Sequence, residues 1–154
     1  MGRRTTPIQV GRRYPGAPLV GVGVVVFNAR GEVLLVQRGR PPRQGEWSLP
    51  GGLIDLGEKL ADAAKREVWE ECAVEIELGK LVATFEPIVY DEEGRIEYHY
   101  VILDYWAHYL RGEPVAQDDA ADIAWIALAD LDRLSIYQDT RDVIMQAHAL
   151  WQNS

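Results

Sequence analysis

The sequence predicts an α/β fold, and three observations carry that prediction. Runs at 20–27, 32–38 and 95–110 have the β-branched content or alternation of strands. Stretches at 58–72, 129–134 and 140–151 are rich in helix formers or carry an apolar stripe at helical spacing. Short turn signals separate them, such as Asn28-Ala29-Arg30-Gly31 and Asp91-Glu92-Glu93-Gly94.

The 154 residues suffice for one domain with a core and are too few for two of ordinary size. A net charge of −8 argues against broad binding to nucleic acid or anionic membrane. The single cysteine, Cys72, excludes an intramolecular disulfide, and its place on an apolar helix stripe suits a buried thiol. No apolar run approaches a membrane span and no signal-peptide core follows the basic start, so a soluble, cytoplasmic protein is expected.

Along the chain, residues 1–18 hold four arginines and three prolines with little periodicity, and read as an arm ahead of a single domain at 19–154. The run VGVGVVVF (20–27) is a buried strand, and EVLLVQR (32–38) returns beside it as a hairpin. Arg38, Arg40 and Arg43 then punctuate a Gly/Pro-rich loop, where they suit either a polyphosphate ligand or simple solvation. Trp47 is expected to pack under the loop that delivers the next helix. Residues 74–78 and 80–86 form a strand pair or one bent strand. The run 95–110 is apolar on both faces, so it should be a central strand covered on both sides. His99 and His108 within it read as satisfied, half-buried side chains. An acidic loop, QDDAAD (117–122), precedes a short strand at 123–128.

The stretch from Gly51 to Val74 organises the rest. From Glu58 to Cys72 nothing breaks a helix, and Leu60, Ala61, Ala64, Val68 and Cys72 fall on one apolar stripe. Glu67, Glu70 and Glu71 stand at i, i+3 and i+4, a spacing at which like charges repel. A solvated acidic face is one reading. The other is a site for a hard divalent cation, Mg²⁺ or Mn²⁺, which takes carboxylate oxygens. Pro50-Gly51-Gly52 could bring a backbone carbonyl to the same place.

The spacing Gly52-x5-Glu58-x7-Arg66-Glu67-Val68-x-Glu70-Glu71-x-Ala73-Val74 resembles the Nudix box, G-x5-E-x7-R-E-U-x-E-E-x-G-U, at eight of nine specified positions. The exception is Ala73, where the family has Gly; a slightly different helix exit is expected there. The WSLPGG lead-in (47–52) is similar too. The resemblance implies an α/β/α sandwich with a mixed sheet. It also implies metal-dependent hydrolysis of a nucleoside diphosphate linked to another group.

By that resemblance Glu67, Glu70 and Glu71 are metal ligands, with the Gly51 carbonyl a further one. Arg66 holds a box carboxylate in place, and Glu58 supports the loop–helix junction or the metal's water network. Glu70, Asp118 and Asp119 are the candidate general bases. The flanks look most like the ADP-ribose pyrophosphatase group, whose products would be AMP and ribose 5-phosphate. Tyr90, by contrast, matches a marker of dinucleoside polyphosphate hydrolases, and it or other aromatics could stack a base. Oxidised nucleotides remain a third substrate class, and a non-catalytic nucleotide-binding module an outlying one. Family habit and the arginine-rich arm imply a homodimer.

Overall fold

The computed structural model describes residues 11–40, 43–117 and 119–154. Its elements are β1 (Leu19–Phe27), β2 (Val33–Arg38), β3 (Trp47–Ser48), β4 (Gly51–Leu53), α1 (Leu60–Cys72), β5 (Glu75–Phe85), β6 (Ile88–Tyr90), β7 (Ile96–Arg111), β8 (Ala120–Ile126), a 3₁₀ helix (Leu128–Arg133) and α2 (Gln138–Gln152). The sheet runs β3-β2-β1-β7-β5, with β4 added to β1, β6 to β7 and β8 to β2. β1 and β7 are parallel and the other pairs antiparallel, so the sheet is mixed.

Side-chain alternation along β1 and β2 divides the core between the two faces. Val22, Val24, Val26, Leu34 and Val36 pack with Ala63, Ala64, Val68 and Cys72 of α1. Val25, Phe27, Val33 and Leu35 pack with Trp106 and with Ile144 and Ala147 of α2. The result is an α/β/α sandwich. The long strand β7 lies between β1 and β5, as its two apolar faces require.

Several expectations change in detail. β1 and β2 meet only at Phe27↔Val33. Asn28 bends the connection tightly, its Oδ1 accepting the Arg30 and Glu32 amides at 3.0 Å. Beyond that turn the strands part. β2 pairs with β8 from Val33 to Arg38, and β1 takes β4 as its neighbour at Gly21–Gly23. The parting lets the start of the acidic stretch lie beside β1.

Residues 75–85 are one strand bent by register shifts, not two strands. The 128–133 run is too short for a stable α-helix and forms a 3₁₀ turn. On α1, Ala63 rather than Ala61 is buried, because the face between Ala64 and Val68 leans onto the sheet. Trp47 joins the α2-side cluster rather than lying under the loop that leads into α1, and its amide binds the Ser135 carbonyl at 2.9 Å. Ala73 adopts the left-handed conformation a glycine would supply (φ 59°, ψ 32°), its amide binding the Trp69 carbonyl at 2.9 Å. The helix exit is therefore the ordinary left-handed one, at a cost of about 1 kcal/mol for a residue with a Cβ.

In the described part of the arm, Tyr14 is tied to the β6–β7 hairpin. Its amide binds the Glu97 carbonyl at 2.8 Å and its hydroxyl donates to Asp91 at 2.7 Å. No helix of the described residues is long and apolar enough to cross a membrane.

Candidate active site

Two edges build the site: the outer edge of β4 and the face of α1 turned towards it. Gly52 faces Val22 in the β1–β4 ladder, where Ile54 N–H binds the Val20 carbonyl and Val24 N–H binds the Pro50 carbonyl. In an antiparallel pair, alternate residues point their amide and carbonyl away from the partner. Gly51 and Leu53 therefore present theirs outward, to α1. Two contacts follow. The Gly51 amide donates to Glu71 Oε2 at 3.0 Å, and the Leu53 carbonyl accepts from Arg66 Nη2 at 3.1 Å. The alternation sets the Gly51 carbonyl on the edge that Glu71 reaches. Gly52 is needed for close approach, since a Cβ there would run into the Glu67 carboxylate.

Arg66 is the centre of the charge network. Its Nε and Nη2 bind both oxygens of Glu58 at 2.7 and 2.8 Å. Its Nη1 binds Glu67 at 2.8 Å and Glu70 at 3.0 Å. Glu58 also accepts the Asp55 amide at 3.0 Å, closing the loop onto the helix. The Arg66 guanidinium, with that amide, pulls the Glu58 carboxyl down to about 2. Glu67, with its side chain only 17% exposed, moves the other way. Burial raises it more than Arg66 lowers it.

The expected convergence of Glu67, Glu70 and Glu71 is thus only partial. Two of them converge on Arg66 and the third turns to the Gly51 amide. Among the described residues no three acids already surround one point closely enough to hold a cation. The donor set nevertheless suits one. It is all oxygen, it carries several negative charges against one guanidinium, and the Glu70 side chain is 50% exposed and able to turn.

The remaining predicted residues divide. Asp119 pairs with Arg40 at 3.2 Å, and its carbonyl accepts the Gly39 amide at 3.0 Å. Arg38 faces Ala120 across the β2–β8 ladder, so Arg38, Arg40 and Asp119 share one end of the sheet. Gln117 links that end to the helix, its amide binding the Glu71 carbonyl at 3.2 Å. Arg43 turns aside, its guanidinium 3.7 Å from the centre of the Tyr137 ring. Tyr90 is exposed on β6 and pairs with Ile96. That point is eight residues along β7 from the row of Gly23 and Gly51, roughly 25 Å at a strand's rise. Asp118 lies outside the described residues. The box carboxylate that Arg66 was expected to hold is chiefly Glu58, at the loop–helix junction where Glu58 was expected to act. Sequence reasoning passed over Asp104, buried on β7; its signal was a lone acid among apolar strand positions.

The model of the NUDIX domain matches residues 17–147. The chain belongs to the Nudix family. Among its relatives, an RNA pyrophosphohydrolase of Roseobacter denitrificans is 41% identical over 81 residues, 53% of this chain and 48% of that protein. An ADP-ribose pyrophosphatase of Methanocaldococcus jannaschii is 28% identical over 122 residues, 79% of this chain and 68% of that one. The chain thus matches about half the length of the first of these Nudix relatives. The NUDIX domain of Shewanella oneidensis NrtR, solved as a complex with ADP ribose, aligns with a TM-score of 0.69. That alignment is 30% identical and covers 88% of this chain and 89% of the domain.

Proposed function

We propose that the chain hydrolyses the pyrophosphate linkage of a nucleoside diphosphate derivative, with ADP-ribose as the leading substrate and AMP and ribose 5-phosphate as products. The observation that carries this reading is the complete set of box acids at the β4 edge, ordered by Arg66 and the Gly51 amide. Glu67, Glu70 and Glu71 would hold Mg²⁺ or Mn²⁺, with the Gly51 carbonyl as a further oxygen. Such an ion supplies charge neutralisation on the phosphate and a bound water of lowered pKa.

The chain's own residues do the rest. Arg66 and Glu58 hold the carboxylates in place, a positioning role. Arg38 and Arg40 would bind phosphate oxygens, and Asp119, beside Arg40, would release that arginine as the anion arrives. Glu70 or Asp119 takes the proton of the attacking water. The water oxygen bonds to phosphorus, the bridging P–O bond breaks and the second phosphate leaves. Two relatives favour ADP-ribose, one named for hydrolysing it and one solved with it bound.

Turnover over a substrate panel tests the reading. The panel holds ADP-ribose, other nucleoside diphosphate sugars, dinucleoside polyphosphates, oxidised and ordinary nucleoside triphosphates, and an RNA with a 5′-terminal pyrophosphate linkage. ADP-ribose should rank first with Mg²⁺ and turnover should vanish with chelator. A different first rank would move the substrate and keep the chemistry. No turnover with any metal would leave a nucleotide-binding module.

A homodimer belongs to the same proposal. Phe85, Ile88, Val89, Tyr90 and Ile96 stay exposed on β5–β7, a group of apolar side chains that a second copy would cover. Light scattering should give twice the chain mass, and a monomeric mass would reject the dimer.

A further inference from the structure

Glu70 and Glu71 stand on the last turn of α1, which carries no basic side chain. A helix end leaves its last carbonyls without an internal partner. Here a passing segment supplies the donors. The Val115 amide binds the Cys72 carbonyl at 3.0 Å, and the Gln117 amide binds the Glu71 carbonyl at 3.2 Å. Two residues further on, the Asp119 carbonyl accepts the Gly39 amide and the Asp119 carboxylate pairs with Arg40. Residues 112–117 therefore join the end of β7 to the turn that carries two of the box acids, and lead on to the arginine end of the sheet.

Burial does little to hold this segment. None of residues 112–117 is fully buried, and Val115 is 52% exposed. Its start is fixed by two contacts instead. Gly112 passes so close to the Ala73 carbonyl that a Cβ would collide with it, and its backbone (φ 109°) is one that side chains rarely adopt. The Tyr109 hydroxyl donates to the Gly112 carbonyl at 2.6 Å. The Tyr109 ring is itself held. It packs against the α1-side core and meets the Trp125 ring edge-on, with 5.2 Å between centres. The phenol thus ties a packed core to a turn that buries little of its own.

We propose that Tyr109 is a positioning residue of the metal site: its hydroxyl holds the Gly112 turn, so that Val115 and Gln117 close α1 and keep the turn with Glu70 and Glu71 in place for a divalent cation. This rests on the metal-dependent hydrolase reading above and adds a group that sets metal affinity from outside the site. Tyr109 acts through the backbone of the segment and touches neither metal nor substrate.

The test removes the hydroxyl and keeps the ring, by Tyr109→Phe. Mn²⁺ binding, followed by calorimetry without substrate, should weaken by about three- to tenfold, the scale of one lost hydrogen bond. The Mg²⁺ concentration for half-maximal turnover of ADP-ribose should rise by the same factor, while kcat at saturating Mg²⁺ changes by less than about twofold. Amide hydrogen exchange at Val115 and Gln117 should quicken. Gly112→Ala should shift all three in the same direction, because its Cβ pushes the turn off the Ala73 carbonyl; Tyr109→Phe decides the matter if that variant fails to fold. Ile144→Val, a truncation in the core of the opposite face, supplies the purely structural comparison. It should lower the melting temperature and leave Mn²⁺ affinity unchanged.

Unchanged Mn²⁺ affinity in folded Tyr109→Phe would overturn the proposal, as would an equal loss of affinity in Ile144→Val. Unchanged exchange at Val115 and Gln117 would overturn it too. A wild type that binds Mn²⁺ and turns over no substrate would sink the hydrolase reading, and the binding and exchange measurements would still decide the role of Tyr109. A wild type that binds no Mn²⁺ would overturn both.

Discussion

Glu70→Gln and Glu71→Gln should each lower turnover of the preferred substrate by about two to four orders of magnitude while the chain stays folded. Each substitution removes one negative oxygen donor and almost no volume. Glu70 is half exposed and bonds only Arg66 among the described contacts, so its loss leaves the core untouched. The Glu71 contact to the Gly51 amide can be kept by the neutral amide oxygen. Removing a charge from an i, i+3, i+4 set of acids also relieves repulsion, so melting should hold or rise when no metal is added. Steady-state rates across a metal titration, beside thermal melts, check both halves. Wild-type turnover in either variant would count against the metal assignment.

Arg66→Gln should show the second large effect, on stability as well as rate. One guanidinium binds Glu58 twice, Glu67, Glu70 and the Leu53 carbonyl. Without it three carboxylates at the loop–helix junction lose their shared cation, and Glu67 is largely buried. Breaking a partly buried pair of this kind should cost about 2–4 kcal/mol in urea unfolding at pH 7.

The pH dependence has a definite sign. Glu58 has a folded value of about 2 against an ordinary 4.5, so its stabilising contribution is fully present above about 4.5. It is lost as pH falls towards 2. The variant should therefore lose much less stability than wild type between pH 5 and pH 2. Turnover should fall by about ten- to a hundredfold, the usual scale for groups that orient metal ligands. Equal unfolding curves for wild type and variant would remove Arg66 from the centre of the network.

Much of this was legible in the sequence because it is local. The box spacing marks the helix, its acids and its glycine lead-in within one short stretch. The two apolar faces of 96–111 place that strand in the middle of the sheet. What stayed hidden depends on distant pairing. Nothing near residues 20–38 says that β8, some 85 residues later in the chain, draws β2 away from β1. Arg43 stands in a row of loop arginines, yet Tyr137 at the start of α2 claims it. Tyr90 matched a marker by its distance along the chain, and the β6–β7 hairpin carries it far from the acids in space. Ala73 shows the converse. A strong helix former takes a glycine's conformation because the following strand must turn back there.

The end of α1 is closed by another part of the chain. The Cys72 carbonyl accepts the Val115 amide at 3.0 Å and the Glu71 carbonyl accepts that of Gln117, so a loop rather than a side chain caps the helix. Gly112 crosses the Ala73 carbonyl too closely for any Cβ. The turn that carries Glu70 and Glu71 and the segment that leads to Asp119 are thus one cooperative unit of local opening. If that segment lifts to admit a substrate, the helix end that carries two of the acids loosens with it. On the proposed reading, substrate entry and the placing of those two acids would then share one barrier.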